Sequence, residues 1–124
     1  MINKKIDIIS ILKGKLIEMS HSASVSKRFN VYKNNAYKRS LDFELTYSEF
    51  DQLTSKKCEY CGGFSKLDKY GNQHNGIDRK NNNKGYIKKN CAPCCWVCNK
   101  MKSTLGTREF LDHTRKIIKY RNKN

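Results

Sequence analysis

Along the first part of the chain the apolar residues keep helical time. Ile2, Ile6, Ile9, Leu12 and Leu16 recur at intervals of three and four, which predicts a helix over 2–18. Gly14 weakens that helix without ending it. From Ser20 to Ser26 the rhythm stops and serine takes over, so a linker or loose turn is expected there. Helical offsets resume at Phe29, Tyr32 and Ala36, with Lys33, Lys38 and Arg39 outward. Leu41, Phe43 and Leu45 then alternate with Asp42 and Glu44, the period of a short strand. Thr46 and Glu49 have capping-box spacing, and a helix with Phe50 and Leu53 turned inward should follow. Residues 65–74 are polar and rich in turn formers, and read as a loop. Gly76–Lys80 and Tyr86–Asn90 are expected to pair as a hairpin over the Asn- and Gly-rich turn between them. A helix is predicted from Cys95 to Ser103. Another starts at Gly106 and Thr107, with Phe110, Thr114, Ile117 and Arg121 on one face.

Composition narrows what such a chain can be. Its 124 residues suit one domain. We divide them into an N-terminal helix and Ser-rich linker (1–26) and a compact unit (27–124). Hydrophobic residues are 37% and the net charge is +15, so the core is modest and a staple is expected. The six cysteines could be disulfides or metal ligands. The apolar stretch after Lys4 and Lys5 is broken by Asp7, Ser10 and Lys13, which is no secretory signal, and no run is long enough to span a membrane. The cysteines are therefore read as reduced and metal-bound, in an intracellular compartment (cytoplasm or nucleus of a host cell), not secreted. The positive charge points to an anionic partner, nucleic acid ahead of lipid.

Two pairs carry the metal chemistry: Cys58-Glu59-Tyr60-Cys61 and Cys95-Trp96-Val97-Cys98. Each supplies two thiolates from one turn, and four make a tetrahedral Zn²⁺ site. A third pair, Cys91-Ala92-Pro93-Cys94, means that spacing does not fix the ligand set. We favour Cys58, Cys61, Cys95 and Cys98 as structural zinc ligands, because Cys98 would sit in the first turn of a helix, where N–H dipoles favour a thiolate. Cys91 and Cys94 are then small buried apolar residues. A carboxylate (Asp78) and an amide (Asn99) stay free for a second, harder cation.

Taken together, Cys58-Glu59-Tyr60-Cys61-Gly62, Gly76-Ile77-Asp78-Arg79, Lys84-Gly85-Tyr86, Asn90 and Cys95-Trp96-Val97-Cys98-Asn99-Lys100-Met101-Lys102 resemble the HNH endonuclease family, in its phage- and large-virus-type subgroup. The stretch Ala36–Phe50 and Glu109-Phe110-Leu111 add to the likeness, which covers Tyr32 to Ile118. The resemblance implies an α+β fold, a small zinc-stapled ββα-metal domain with flanking helices. It implies metal-dependent hydrolysis of DNA phosphodiester bonds, as an endonuclease or nickase. Asp78 and Asn99 would hold a catalytic Mg²⁺ or Mn²⁺, Asn90 would position the base through its neighbours, and Lys102 would face phosphate. The chain departs from the family at Arg79, where the general-base histidine usually stands, and at Asn81, where the subgroup often has Asp.

Arg79 cannot take a proton from water because its guanidinium stays charged. Its fork suits phosphate, so it is expected to clamp the transition state. The base is left open: His74 precedes Asp78 by four residues and shares its face if the strand extends back, which makes it one candidate beside a metal-bound hydroxide and a substrate phosphate oxygen. His21 and His113 have weaker claims. Arg79, Lys88, Lys89, Lys100 and Lys102 are the expected contacts to duplex DNA, with Lys27, Arg28, Lys38 and Arg39 lengthening the footprint. Such contacts are salt-sensitive and carry little sequence information. Tyr70, Tyr86 and Trp96 are candidates for stacking on bases, with core or hairpin packing the favoured role for Tyr86 and Trp96. The alternative function is a zinc-containing DNA-binding module with a degenerate catalytic site, which Arg79 and Asn81 favour.

Overall fold

The computed structural model describes residues 3–67 and 71–123. Ile2 of the predicted apolar stripe and Tyr70 lie outside the described residues. The first element is one long helix, α1 (Asn3–Lys38), 36 residues and about 54 Å at the usual helical rise. It does not break at Ser20–Ser26, where a linker was expected. The reason is tertiary docking against the next helix, α2 (Tyr47–Thr54). His21 Nε2 lies 3.0 Å from Asp51 Oδ1, the Tyr47 hydroxyl donates to the Ser22 carbonyl at 3.3 Å, and Val25 has no exposed surface. These contacts outweigh the low helix propensity of serine. The chain reverses after α1 through Ser40, whose φ is 54°.

The predicted capping box is present. Thr46 Oγ1 accepts from the Glu49 N–H at 3.1 Å, and Glu49 Oε1 accepts from the Thr46 N–H at 3.0 Å. This sets α2 so that Phe50 and Thr54 are fully buried. The 41–45 segment forms only an isolated parallel bridge, Phe43 to Tyr86. Asp42 and Glu44 bond the Tyr86 backbone on either side. Gly85 permits that approach, since a Cβ there would collide with the Asp42 backbone.

Two small antiparallel sheets follow. In the stretch read as a loop, β1 (Lys66–Leu67) pairs with β2 (Gln73–His74). The central strand β3 (Gly76–Arg79) pairs with β4 (Cys91–Cys94), in the register Ile77 to Pro93 and Asp78 to Ala92. The partner expected from the sequence was Tyr86–Asn90. Tyr86 is diverted to the 42–44 segment, and Lys88–Asn90 winds into a 3₁₀ turn. Helix α3 (Trp96–Lys102) packs across β3, and α4 (Thr107–Arg121) closes the chain.

The main core lies between α1, α2 and one face of β3. Val25, Ala36, Leu45, Phe50, Ile77, Tyr86 and Cys91 are buried there, with Phe29, Tyr32 and Phe43 against them. The rings of Tyr32, Phe50 and Phe29 meet edge to face at 5.4–5.5 Å, the favoured geometry for aromatic pairs. A second cluster is made of Cys58, Cys94, Cys95 and Cys98, with Tyr60 beside it.

Candidate metal centre and the cavity beside it

The first cysteine pair sits on a tight turn. Gly62 has φ 76°, a conformation glycine adopts without penalty. The Gly62 N–H bonds the Cys58 carbonyl, and the Cys58 N–H bonds the Gly63 carbonyl, both at 2.9 Å. Backbone N–H groups of Tyr60 and Gly63 point to Cys58 Sγ and Cys61 Sγ at 3.4 Å. The second pair opens α3. Cys95 caps the helix, its Sγ accepting from the Cys98 N–H at 3.3 Å. The sulfurs of Cys58, Cys61, Cys95 and Cys98 all lie within 4.8 Å of one another, and Cys61 Sγ to Cys95 Sγ is 3.6 Å. Tetrahedral thiolates around zinc stand about 3.8 Å apart, given a bond of about 2.3 Å, so the donor set and its spacing fit such an ion. Burial works to raise the Cys58 thiol, but hydrogen bonds from its surroundings outweigh it and bring it down to about 6. Burial raises Cys95 and Cys98, and hydrogen bonds with the Cys58 and Cys61 thiols add to the rise. Cys91 and Cys94 lie on β4, fully within the interior, and burial raises both, Cys91 to about 11.

Asn75, which the sequence did not single out, ties this knuckle to the sheets. It is buried, its Oδ1 accepts from the Ser65 N–H at 2.8 Å, and its Nδ2 donates to the carbonyls of Lys56 and Gly63 at 2.9 Å.

On the α3 side of β3 is Asp78, only 3% exposed. Its Oδ2 accepts from the Tyr60 hydroxyl at 2.7 Å, and that hydroxyl also meets Thr107 Oγ1 at 3.1 Å. Burial raises the Tyr60 phenol, and Asp78 adds to the rise, so it stays a donor. The other oxygen, Oδ1, lies 3.2 Å from Lys102 Nζ. Lys102 was expected at a phosphate-facing surface. Instead it is completely buried, because the third residue after Asn99 on α3 shares its face and looks onto β3.

Asp78, Asn99, Arg79 and Asn82 line one polar cavity of about 400 Å³, together with Arg39, Ser103 and Thr104. Asn99 Nδ2 donates to the Ile77 carbonyl at 3.4 Å, leaving its Oδ1 as the oxygen open to a cation. Arg79 is mostly buried, and its Nη1 donates to the carbonyls of Asn82 and Lys84 at 2.9 and 2.8 Å. Much of its donor capacity therefore braces the 80–90 loop. Asn90 does the same work from inside. Its Nδ2 donates to the carbonyls of Asn81 and Gly85 at 3.0 Å, and its Oδ1 accepts from the Asn81 N–H at 2.9 Å. Asn82 Nδ2 bonds the Thr104 carbonyl at 2.7 Å and joins the loop to the turn after α3.

The chain changes sheets at Asn75, so His74 and Asp78 do not lie on one continuous strand. His74 lines a different cavity of about 180 Å³, which shares Asn99 but not Asp78. His21 is paired with Asp51, and His113 is exposed on α4. Lys88, Lys89 and Lys100 are exposed; Lys88 is 3.7 Å from Glu49, and Lys100 lies over the Trp96 ring at 4.9 Å. Tyr86 is in the core, whereas Trp96 is 62% exposed rather than packed. Tyr60 is the residue near the carboxylate that sequence reasoning missed. Its signal was its place inside the first cysteine pair.

No protein-family profile matches the chain. Among solved structures it is similar to the rare-cutting HNH restriction endonuclease PacI, with a TM-score of 0.57 and 23% identity over 77% of this chain and 78% of that one. The fold is thus HNH-like: α+β, with a small sheet, flanking helices and a four-cysteine cluster that can hold a metal such as zinc. Among curated proteins it is similar to an uncharacterized protein of Acanthamoeba polyphaga mimivirus, 38% identical over 108 residues. That match takes in 87% of this chain, which spans 19% of the length of the relative. Among the described residues, no helix is long and apolar enough to cross a membrane.

Proposed function

We propose that this chain is a nuclease of the HNH type, hydrolysing DNA phosphodiester bonds with the help of a divalent cation, on a domain stapled by zinc at Cys58, Cys61, Cys95 and Cys98. The observation that carries this reading is the meeting of Asp78 and Asn99, from strand and helix, on one polar cavity that also holds Arg39 and Arg79. The HNH-like fold supports it. Asp78 and Asn99 offer a carboxylate and an amide oxygen, the hard donors that Mg²⁺ or Mn²⁺ prefers. Such an ion would supply charge neutralisation on the scissile phosphate. The chain's own residues do the rest. Arg39 and the part of Arg79 not bound to the loop attract the anionic backbone. Tyr60 holds Asp78 in place, and Asn90 keeps the loop that forms one wall. Lys88, Lys89 and Lys100 give salt-dependent affinity for duplex DNA. With His74 in a separate cavity, we assign it no proton transfer. Free cysteines in a zinc cluster suit a reducing compartment.

One observation favours a second reading, a zinc-containing DNA-binding module without catalysis: Asp78 already has a cation, Lys102, against it. The deciding experiment is relaxation of supercoiled plasmid with Mg²⁺ or Mn²⁺ by the wild type and by Asp78→Asn, zinc content being measured on both. Metal-dependent nicking by the wild type alone is expected. Salt-sensitive DNA binding with no nicking by either protein selects the second reading.

A further inference from the structure

The two oxygens of Asp78 are held in different ways. Oδ2 is locked by a neutral donor, the Tyr60 hydroxyl, which is itself anchored on Thr107. Oδ1 faces the Lys102 ammonium at 3.2 Å. Lys102 has no exposed surface, yet its Nζ makes no well-directed hydrogen bond to any protein atom. An ammonium carries three donors, and a buried one that satisfies none is held by charge alone. Its stem is a flexible four-carbon chain and its head is strongly hydrated in water. Lys102 is therefore the member of this site most readily displaced, while Oδ2 is fixed. Asp78 itself lines a polar cavity with Asn82, Ser103 and Thr104 in its walls.

We propose that Lys102 is an internal counter-cation, occupying the place of the divalent ion on Asp78, and that divalent binding at this site is an exchange in which the ammonium leaves Oδ1. This rests on the reading of Asp78 and Asn99 as the cation's donors. An ammonium and a divalent ion on the same buried carboxylate repel each other at close range, so the two states exclude one another. While the site holds no divalent ion, Lys102 keeps the buried carboxylate compensated, which a bare Asp78 would not be. Free protein then binds the divalent ion weakly. A polynucleotide tightens that binding by offering the released ammonium a phosphate.

The test is Mn²⁺ binding to the zinc-loaded full chain, followed by the free-ion paramagnetic signal. Lys102→Met and Lys102→Gln should each bind Mn²⁺ at least about tenfold more tightly than wild type, a gain equal to about 1.4 kcal/mol. Adding Asp78→Asn to either should abolish the gain. Zinc content and circular dichroism certify that each variant is folded. A second measurement needs no variant. In the wild type, acetylation of Lys102 by acetic anhydride, read by mass spectrometry, should be low in the zinc protein and rise several-fold with saturating Mg²⁺. Unchanged or weaker Mn²⁺ affinity in the folded variants, a gain that survives Asp78→Asn, or protection of Lys102 that Mg²⁺ does not alter overturns the exchange. Loss of the exchange with nicking intact refutes this inference alone, whereas a wild type that never nicks refutes the nuclease reading.

Discussion

The two faces of β3 meet different neighbours. Ile77 enters a core of rings and aliphatic chains supplied by α1, α2 and Tyr86. Asp78, one residue on, enters a buried polar layer, with the Tyr60 phenol and the Lys102 ammonium against its carboxylate and the Asn99 amide and Arg79 guanidinium on the same cavity, set beside sulfur. The first face is stabilised by area removed from water, which tolerates imperfect fit. The second depends on pairing, where removal of one partner leaves another buried and unsatisfied. A small domain with a modest core keeps a buried polar layer beside it in register when something rigid fixes that layer. Here the cysteine cluster is in that position.

The contrast is broken most sharply by taking away the proposed zinc staple. Chelation, or Cys58→Ala, should unfold the sulfur half, because structural zinc supplies roughly 10 kcal/mol or more of apparent folding free energy in small domains. Circular dichroism with metal analysis measures this. Cys91→Ala, by contrast, should cost only on the order of 1 kcal/mol, and equal damage from both would show that the ligand set is wrong. Next in size is the pair inside the polar layer. Lys102→Met should destabilise by about 3–5 kcal/mol in urea titration, with part of the loss restored when Asp78→Asn is added, since the uncompensated charge is then gone. Phe50→Ala on the other face should cost a similar amount, about 3–5 kcal/mol, with no such rescue from a second change. The smallest effect belongs to the outer half of α1. Ile8 and Leu12 are 55% and 59% exposed, so serine at both should lower the unfolding free energy by no more than about 0.5 kcal/mol each. A large loss there would mean that this half of the helix is covered in solution.

What could be read from the sequence was what local chemistry dictates. The cysteine pairs, the Thr46–Glu49 cap and the helix opened by Cys95 depend on residues a few places apart, so spacing reveals them. What could not be read depends on distant partners. The helix runs through Ser20–Ser26 because α2 receives it. β3 takes Cys91–Cys94 as its partner because Tyr86 is drawn to Asp42 and Glu44. Asp78 and Asn99 lie on one cavity, as their positions suggested, yet His74 does not join them, since Asn75 turns the chain from one sheet into another. A lysine on a helix reads as exposed by default. Only the strand opposite α3 reveals Lys102 as interior.

Tyr60 stands two residues after Cys58 and one before Cys61, and its hydroxyl ends on Asp78. The knuckle and the acid are thus consecutive links of one short lever. The turn that carries the sulfurs therefore reaches the carboxyl group through a single hydrogen bond.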